Sequence, residues 1–127
     1  MKSAEQLVAE ARARVRELSV EEVRALDPER TVIVDVRDVR ERAAGRIPGS
    51  VHAPRGMLEF WWDPASPYHR EVFAQEGVTY VLHCAVGWRS ALAADALRAM
   101  GHDVAHMWGG FEAWKAVGAP VEVPEGR

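Results

Sequence analysis

Two short apolar runs constrain this chain more than any other feature. Residues 31–36 read Thr-Val-Ile-Val-Asp-Val, and residues 79–83 read Thr-Tyr-Val-Leu-His. Both lack the alternating polar residues of a strand with one wet face, so each reads as a strand covered on both sides. A sheet covered on both faces needs helices on both, and helical patterns do alternate with these runs. The expectation is an α/β domain with a mainly parallel central sheet of about five strands and helices on both faces. At 127 residues the chain has room for one such domain. Ligands of such sheets bind at the carboxyl ends of the strands.

The remaining elements follow from spacing and punctuation. Ala4, Leu7, Val8, Ala11, Val15 and Leu18 recur at helical spacing, which predicts an amphipathic helix over 3–18. Ser19-Val20-Glu21-Glu22 is a capping box that opens a second helix through Leu26. Charged, helix-compatible residues run to Ala44, and Gly45-Arg46-Ile47-Pro48-Gly49 is a turn. Residues 50–53 suit a brief strand, and 54–78 read as irregular. Residues 90–100 read as a strong helix, 104–107 as a further strand, and Gly109-Gly110 opens a last helix through Val117. The division expected is an amino-terminal helical extension over 1–16, the domain over 17–123 and a short tail over 124–127.

Composition narrows the function classes. A formal charge of −3 leaves no basic footprint for nucleic acid, and no apolar stretch is long enough for a membrane span. The first residues carry no apolar signal region, so the default expectation is a cytosolic address. Fourteen arginines against two lysines, no asparagine and two glutamines suit a thermophilic source or a biased genome. One cysteine, Cys84, excludes an internal disulfide and any multi-cysteine metal site. No cofactor and no metal are expected.

That cysteine stands at the end of the second apolar run, in Cys84-Ala85-Val86-Gly87-Trp88-Arg89-Ser90. A helix starting near Ser90 offers unpaired N–H groups and the positive end of its dipole. Gly87 permits a tight turn that aims successive amides at one sulfur, and Arg89 adds a fixed positive charge. A helix terminus and a cation together are the usual route to a reactive thiolate, and an inert core cysteine seldom sits in such a turn.

Three segments resemble the signatures of rhodanese-like sulfurtransferase domains, in the family's order. The first is Asp35-Val36-Arg37, Glu41 and Gly45-Arg46-Ile47-Pro48-Gly49-Ser50; the second is the Cys84–Ser90 loop; the third is Gly109-Gly110-Phe111-Glu112-Ala113-Trp114 with Gly118-Ala119-Pro120-Val121. The resemblance implies a Cys84 nucleophile that takes sulfane sulfur from a small donor such as thiosulfate, or from a protein persulfide. The Cys84 persulfide then passes its sulfur to cyanide, an external thiol or a sulfur-acceptor protein. Ala85, Val86, Gly87, Trp88, Arg89 and Ser90 would hold the persulfide, with Arg89 both facing the anion and tethering the loop. Asp35 and Arg37 would support the site as an ion pair. Four residues separate Cys84 from Arg89, one fewer than in the related phosphatases and arsenate reductases, so the loop suits one sulfur atom. Two other functions stand beside this one: a non-catalytic binding or regulatory module, and an arsenate or phosphate-ester enzyme.

Some positions depart from the family pattern or stay open. Arg46 stands where the family usually has histidine. Trp88 is either a packing anchor or a wall for the substrate. His83 adjoins Cys84, but strand alternation sends the two side chains to opposite faces, which makes His83 a packed histidine and not a base. His102 and His106 have metal-ligand spacing only on a helix, and the segment reads as strand. Phe60-Trp61-Trp62 is open between lid, docking patch and core. Residues 3–16 serve either dimerisation or, more commonly in such domains, cover of a sheet edge.

Overall fold

A computed structural model describes residues 1–125. Its sheet has five parallel strands: β1 (Arg16–Leu18), β2 (Thr31–Asp35), β3 (Val51–His52), β4 (Thr79–His83) and β5 (Ala105–Met107), in the order β1-β5-β4-β2-β3. The helices are α1 (Ala4–Arg14), α2 (Val20–Arg24), α3 (Val39–Ala44), α4 (Leu58–Trp62), α5 (Trp88–Ala99) and α6 (Gly110–Ala116). The two apolar runs are central neighbours, paired from Thr31 against Thr79 to Asp35 against His83. Continuous apolar runs at these positions have the cause inferred from sequence, a layer on each face.

Alternation sorts the strand side chains between those layers. Val34, Leu82 and Tyr80 pack with Leu58, Trp62, Ala93 and Leu97 of α4 and α5. Val81, Ala105 and Met107 pack on the other face with Val20 and Val23 of α2 and Phe111 and Trp114 of α6. Val8 and Ala11 of α1 lie against Ala91 of α5, so α1 forms an outer layer over that helix.

Local chemistry explains most boundaries. Ser3 with Gln6, Ser19 with Glu22 and Asp38 with Glu41 each close a reciprocal capping box at the start of α1, α2 and α3. The helix expected over 3–18 ends at Arg14, because residues 16–18 pair with β5 and extend the sheet. A boundary after residue 16 therefore falls inside β1. The segment 54–78 is not wholly irregular, since Leu58–Trp62 forms α4 and Glu71–Ala74 a 3₁₀ turn. Of the tail over 124–127, residues 126 and 127 lie outside the described residues. Among the described residues no helix is long and apolar enough to cross a membrane.

Candidate active site

Cys84 follows the last residue of β4, and α5 starts four residues later at Trp88. The helix therefore begins two residues before Ser90, with Gly87 as its cap and Ser90 inside the first turn. This places the Gly87 N–H at the sulfur: it donates to Cys84 Sγ at 3.2 Å. The Ser90 hydroxyl lies 3.7 Å from the same atom, within reach for sulfur. The thiol is 1% exposed, while Val86 and Trp88 on the rim are 50% and 44% exposed. Trp88 is thus at the mouth of the loop and does not anchor the core.

The other two signature segments clamp this loop. Arg89 donates through both terminal nitrogens to the Glu41 carboxylate, at 2.7 and 2.9 Å. That bidentate pair raises the Arg89 pKa above its ordinary value, and the nearby Cys84 sulfur contributes in the same direction. Glu41, held below the usual carboxylate range chiefly by Arg89, also caps α3, so one carboxylate joins two elements. From the other side the start of α6 binds the loop carbonyls: Phe111 N–H donates to Cys84 O at 2.8 Å and Glu112 N–H to Ala85 O at 3.0 Å. Gly110 makes this approach possible, for a Cβ there would lie 2.5 Å from Cys84 O at a φ of +59°. Gly87 is similarly constrained, with φ +123° and a Cβ position 2.7 Å from the Trp108 ring.

Asp35 and Arg37 lie beneath the site and are fully or almost fully buried. Arg37 donates to Asp35 Oδ2 at 2.9 Å and to Gly45 O at 2.8 Å, while Arg42 reaches Asp35 Oδ2 at 3.2 Å and Ser50 Oγ at 3.0 Å. Burial alone would raise the Asp35 pKa; the Arg37 hydrogen bonds and neighbouring charge outweigh it and hold the carboxyl below its ordinary value. The cluster fixes the 45–50 turn and contributes no group to the sulfur. His83 points to this side, as alternation requires. Among the described residues its Nε2 has no hydrogen-bond partner and lies 3.8 Å from Asp35 Oδ2, and burial drives its pKa below the ordinary imidazole range.

The remaining candidates separate. Arg46 pairs through backbone and side chain with Glu122, closing the chain's end over the turn. The aromatic triplet divides around α4: Trp62 is core, Trp61 stacks under Arg70, and Phe60 is 51% exposed beside Tyr68. His102 lies beside Trp62, and no cluster of metal-ligating residues exists among the described residues. A cavity of about 480 Å³ between Val23, Ile33, Ile47 and Trp114 includes no residue of the Cys84–Ser90 loop.

One set of side chains at the site was not legible as such in the sequence. Ser90 Oγ lies 2.9 Å from His106 Nδ1, whose Nε2 lies 3.0 Å from Glu17 Oε2. Glu17 in turn receives two hydrogen bonds from Arg12, at 2.8 Å each. Glu17 was obscured by the expected helix over 3–18. The signal available was His106 itself, a polar residue interrupting an otherwise apolar run.

Fold and loop define a class: a parallel α/β domain whose cysteine ends a strand at the cap of the next helix, with the loop held by two distant segments. The chain belongs to the rhodanese-like domain family, whose model matches residues 19–117. A sulfurtransferase of Allochromatium vinosum is 32% identical over 104 residues, covering 81% of this chain and 89% of that protein. A structure from Rhodopseudomonas palustris, described as a protein of unknown function and possible tyrosine phosphatase, is 42% identical with a TM-score of 0.88 over 96% of both chains. The thiosulfate sulfurtransferase of Pseudomonas aeruginosa is 25% identical with a TM-score of 0.76, over 98% of this chain and 23% of that one. Family and relatives support a sulfurtransferase type of activity.

Proposed function

We propose that the chain is a sulfurtransferase that moves sulfane sulfur through a Cys84 persulfide to an external acceptor. The observation that carries this reading is the position of Cys84 Sγ at the amide of Gly87, in a loop with four residues before Arg89. Arg89 is engaged by Glu41 and holds the loop, which leaves the cradle matched to one sulfur and not to a tetrahedral oxyanion.

The reaction divides into two displacements. In the first, the Cys84 thiolate attacks the outer sulfur of thiosulfate; a Cys84 S–S bond forms, and sulfite leaves with the electron pair of the old S–S bond. The same step on a protein persulfide releases that protein's thiolate. In the second, cyanide or an external thiolate attacks the outer sulfur of Cys84, giving thiocyanate or a new persulfide and restoring the thiolate. The Gly87 N–H and the positive end of α5 stabilise the persulfide anion between the steps. The chain holds no second cysteine, so the sulfur passes to an external acceptor.

The R. palustris relative motivates a second reading, phosphate-ester hydrolysis. Incubation with thiosulfate followed by intact-mass measurement separates the two. Sulfur transfer gives an adduct of about 32 Da on Cys84, absent in Cys84→Ala, without hydrolysis of an aryl phosphate. Aryl phosphate turnover without the adduct would overturn the proposal.

A further inference from the structure

We propose that His106 and Glu17 are positioning residues that set the protonation state of Cys84 through Ser90. The inference deepens the reading of Cys84 as nucleophile and rests on it. It stands on a continuous path: Cys84 Sγ to Ser90 Oγ at 3.7 Å, Ser90 Oγ to His106 Nδ1 at 2.9 Å, and His106 Nε2 to Glu17 Oε2 at 3.0 Å. Cys84, Ser90 and His106 are at most 1% exposed, so water does not compete along its inner part.

The path has one self-consistent set of donors. Glu17 carries two Arg12 hydrogen bonds, which hold its carboxyl below the usual range, so at neutral pH it is an acceptor. His106 Nε2–H then donates to it, which leaves Nδ1 unprotonated and free to accept from Ser90 O–H. The Ser90 hydroxyl also lies 3.3 Å from Gly87 O, but the His106 contact is shorter. With its proton directed to His106, the Ser90 oxygen presents a lone pair to the Cys84 S–H.

Proton transfer along this path balances. The Cys84 S–H bond breaks and its proton joins the Ser90 oxygen, while the former Ser90 proton passes to His106 Nδ1. The bonding electrons stay on sulfur. A neutral thiol and neutral imidazole become a thiolate and an imidazolium whose Nε2–H faces Glu17. The charged groups facing the path are Glu17 from β1, Arg12 from α1 and, at the sulfur, Arg89 of α5. Burial lowers the His106 pKa and the Glu17 carboxylate opposes that shift, so the resting ring is neutral and presents its Nδ1 lone pair to Ser90.

The path ends on residues that the sequence assigned to an extension or its junction. Arg12 stacks its guanidinium 3.3 Å from the centre of the Trp108 ring, the ring that packs against Gly87. The amino-terminal segment is therefore connected to the loop through both charge and packing.

The test is the pH profile of Cys84 alkylation by iodoacetamide, read by mass, which needs no sulfur donor. His106→Asn supplies an amide oxygen to accept from Ser90 but no basic nitrogen; Ser90→Ala breaks the path; Glu17→Gln keeps its shape. The expected result is a midpoint about one unit higher in His106→Asn and Ser90→Ala, with alkylation at pH 7 about tenfold slower, and a smaller shift in the same direction in Glu17→Gln. Circular dichroism checks folding; if His106→Asn is unfolded, the partly exposed Glu17→Gln decides alone. A wild-type midpoint in the folded variants overturns the relay, even where thermal stability falls. Absence of the persulfide adduct in the unsubstituted protein, with the expected alkylation shifts in the variants, would instead count against the sulfur-transfer reading alone.

Discussion

Arg89 and Asp35 both bind an oppositely charged partner, yet their environments give the two pairs different weights. The Arg89–Glu41 pair is 42% and 31% exposed, so water screens it and it stabilises the fold by about 0.2–1 kcal/mol. Its larger effect is positional, because it holds the loop that presents Gly87 to the sulfur. Glu41→Gln should therefore leave the guanidinium unfolding midpoint almost unchanged while lowering kcat/KM for thiosulfate about tenfold. Equal losses in both measurements would assign the pair to stability instead. Asp35 is fully buried between Arg37, Arg42 and His83. Asp35→Asn leaves two arginines in the interior without their counter-charge, and urea unfolding should register a loss of about 3–5 kcal/mol. The Asp35–Arg37 pair is two positions apart and was expected from sequence, whereas Arg89 and Glu41 are 48 positions apart and their pairing is not visible there. What the sequence does show is the type of residue at each place, and Cys84 with its following turn was legible on those grounds.

At the scale of elements, the legible parts were those with a strong period or a local cap. The strands β2 and β4, the capping box of α2 and the helix α5 all carry their own signals within a dozen residues. The parts that misled depend on distant contacts. Residues 16–18 continue the helical spacing of α1, but pairing with β5 draws them into the sheet. Likewise α4 has five residues and forms because Leu58 and Trp62 bury against the core, not because of a cap. The close packing of α6 on the Cys84 loop yields a sharper prediction. Gly110→Ala forces a Cβ against Cys84 O at positive φ and should cost about 1–3 kcal/mol by urea unfolding. The adduct rate should fall as well, since the Phe111 and Glu112 amides can no longer hold the loop in place. A variant with wild-type stability and rate would show that the approach of α6 is not required.

Acid stability belongs to the whole molecule, since it sums groups from several elements. His83 and His106 have depressed pKa values in the fold, so below about 6.5 the unfolded chain binds more protons and stability declines. Their contribution is complete above that value and is lost as pH falls. Asp35, Glu17 and Glu41 are also depressed, and their contributions are lost at more acidic pH, below about 4. Urea midpoints should hold steady from pH 8 to 7, fall between 6.5 and 5, and fall again below 4. A flat profile from pH 7 to 5 would contradict the neutral, buried state of the two histidines. The proposed sulfur chemistry needs the same assembled fold, in which β4, α3, α5 and α6 meet around the Cys84 loop. Its most direct test is the intact mass of the protein after exposure to thiosulfate and removal of excess donor. The account predicts a gain of about 32 Da on Cys84 that cyanide discharges as thiocyanate and that Cys84→Ala never shows. A folded protein with a free thiol that gains no sulfur from thiosulfate or from any persulfide donor would contradict it.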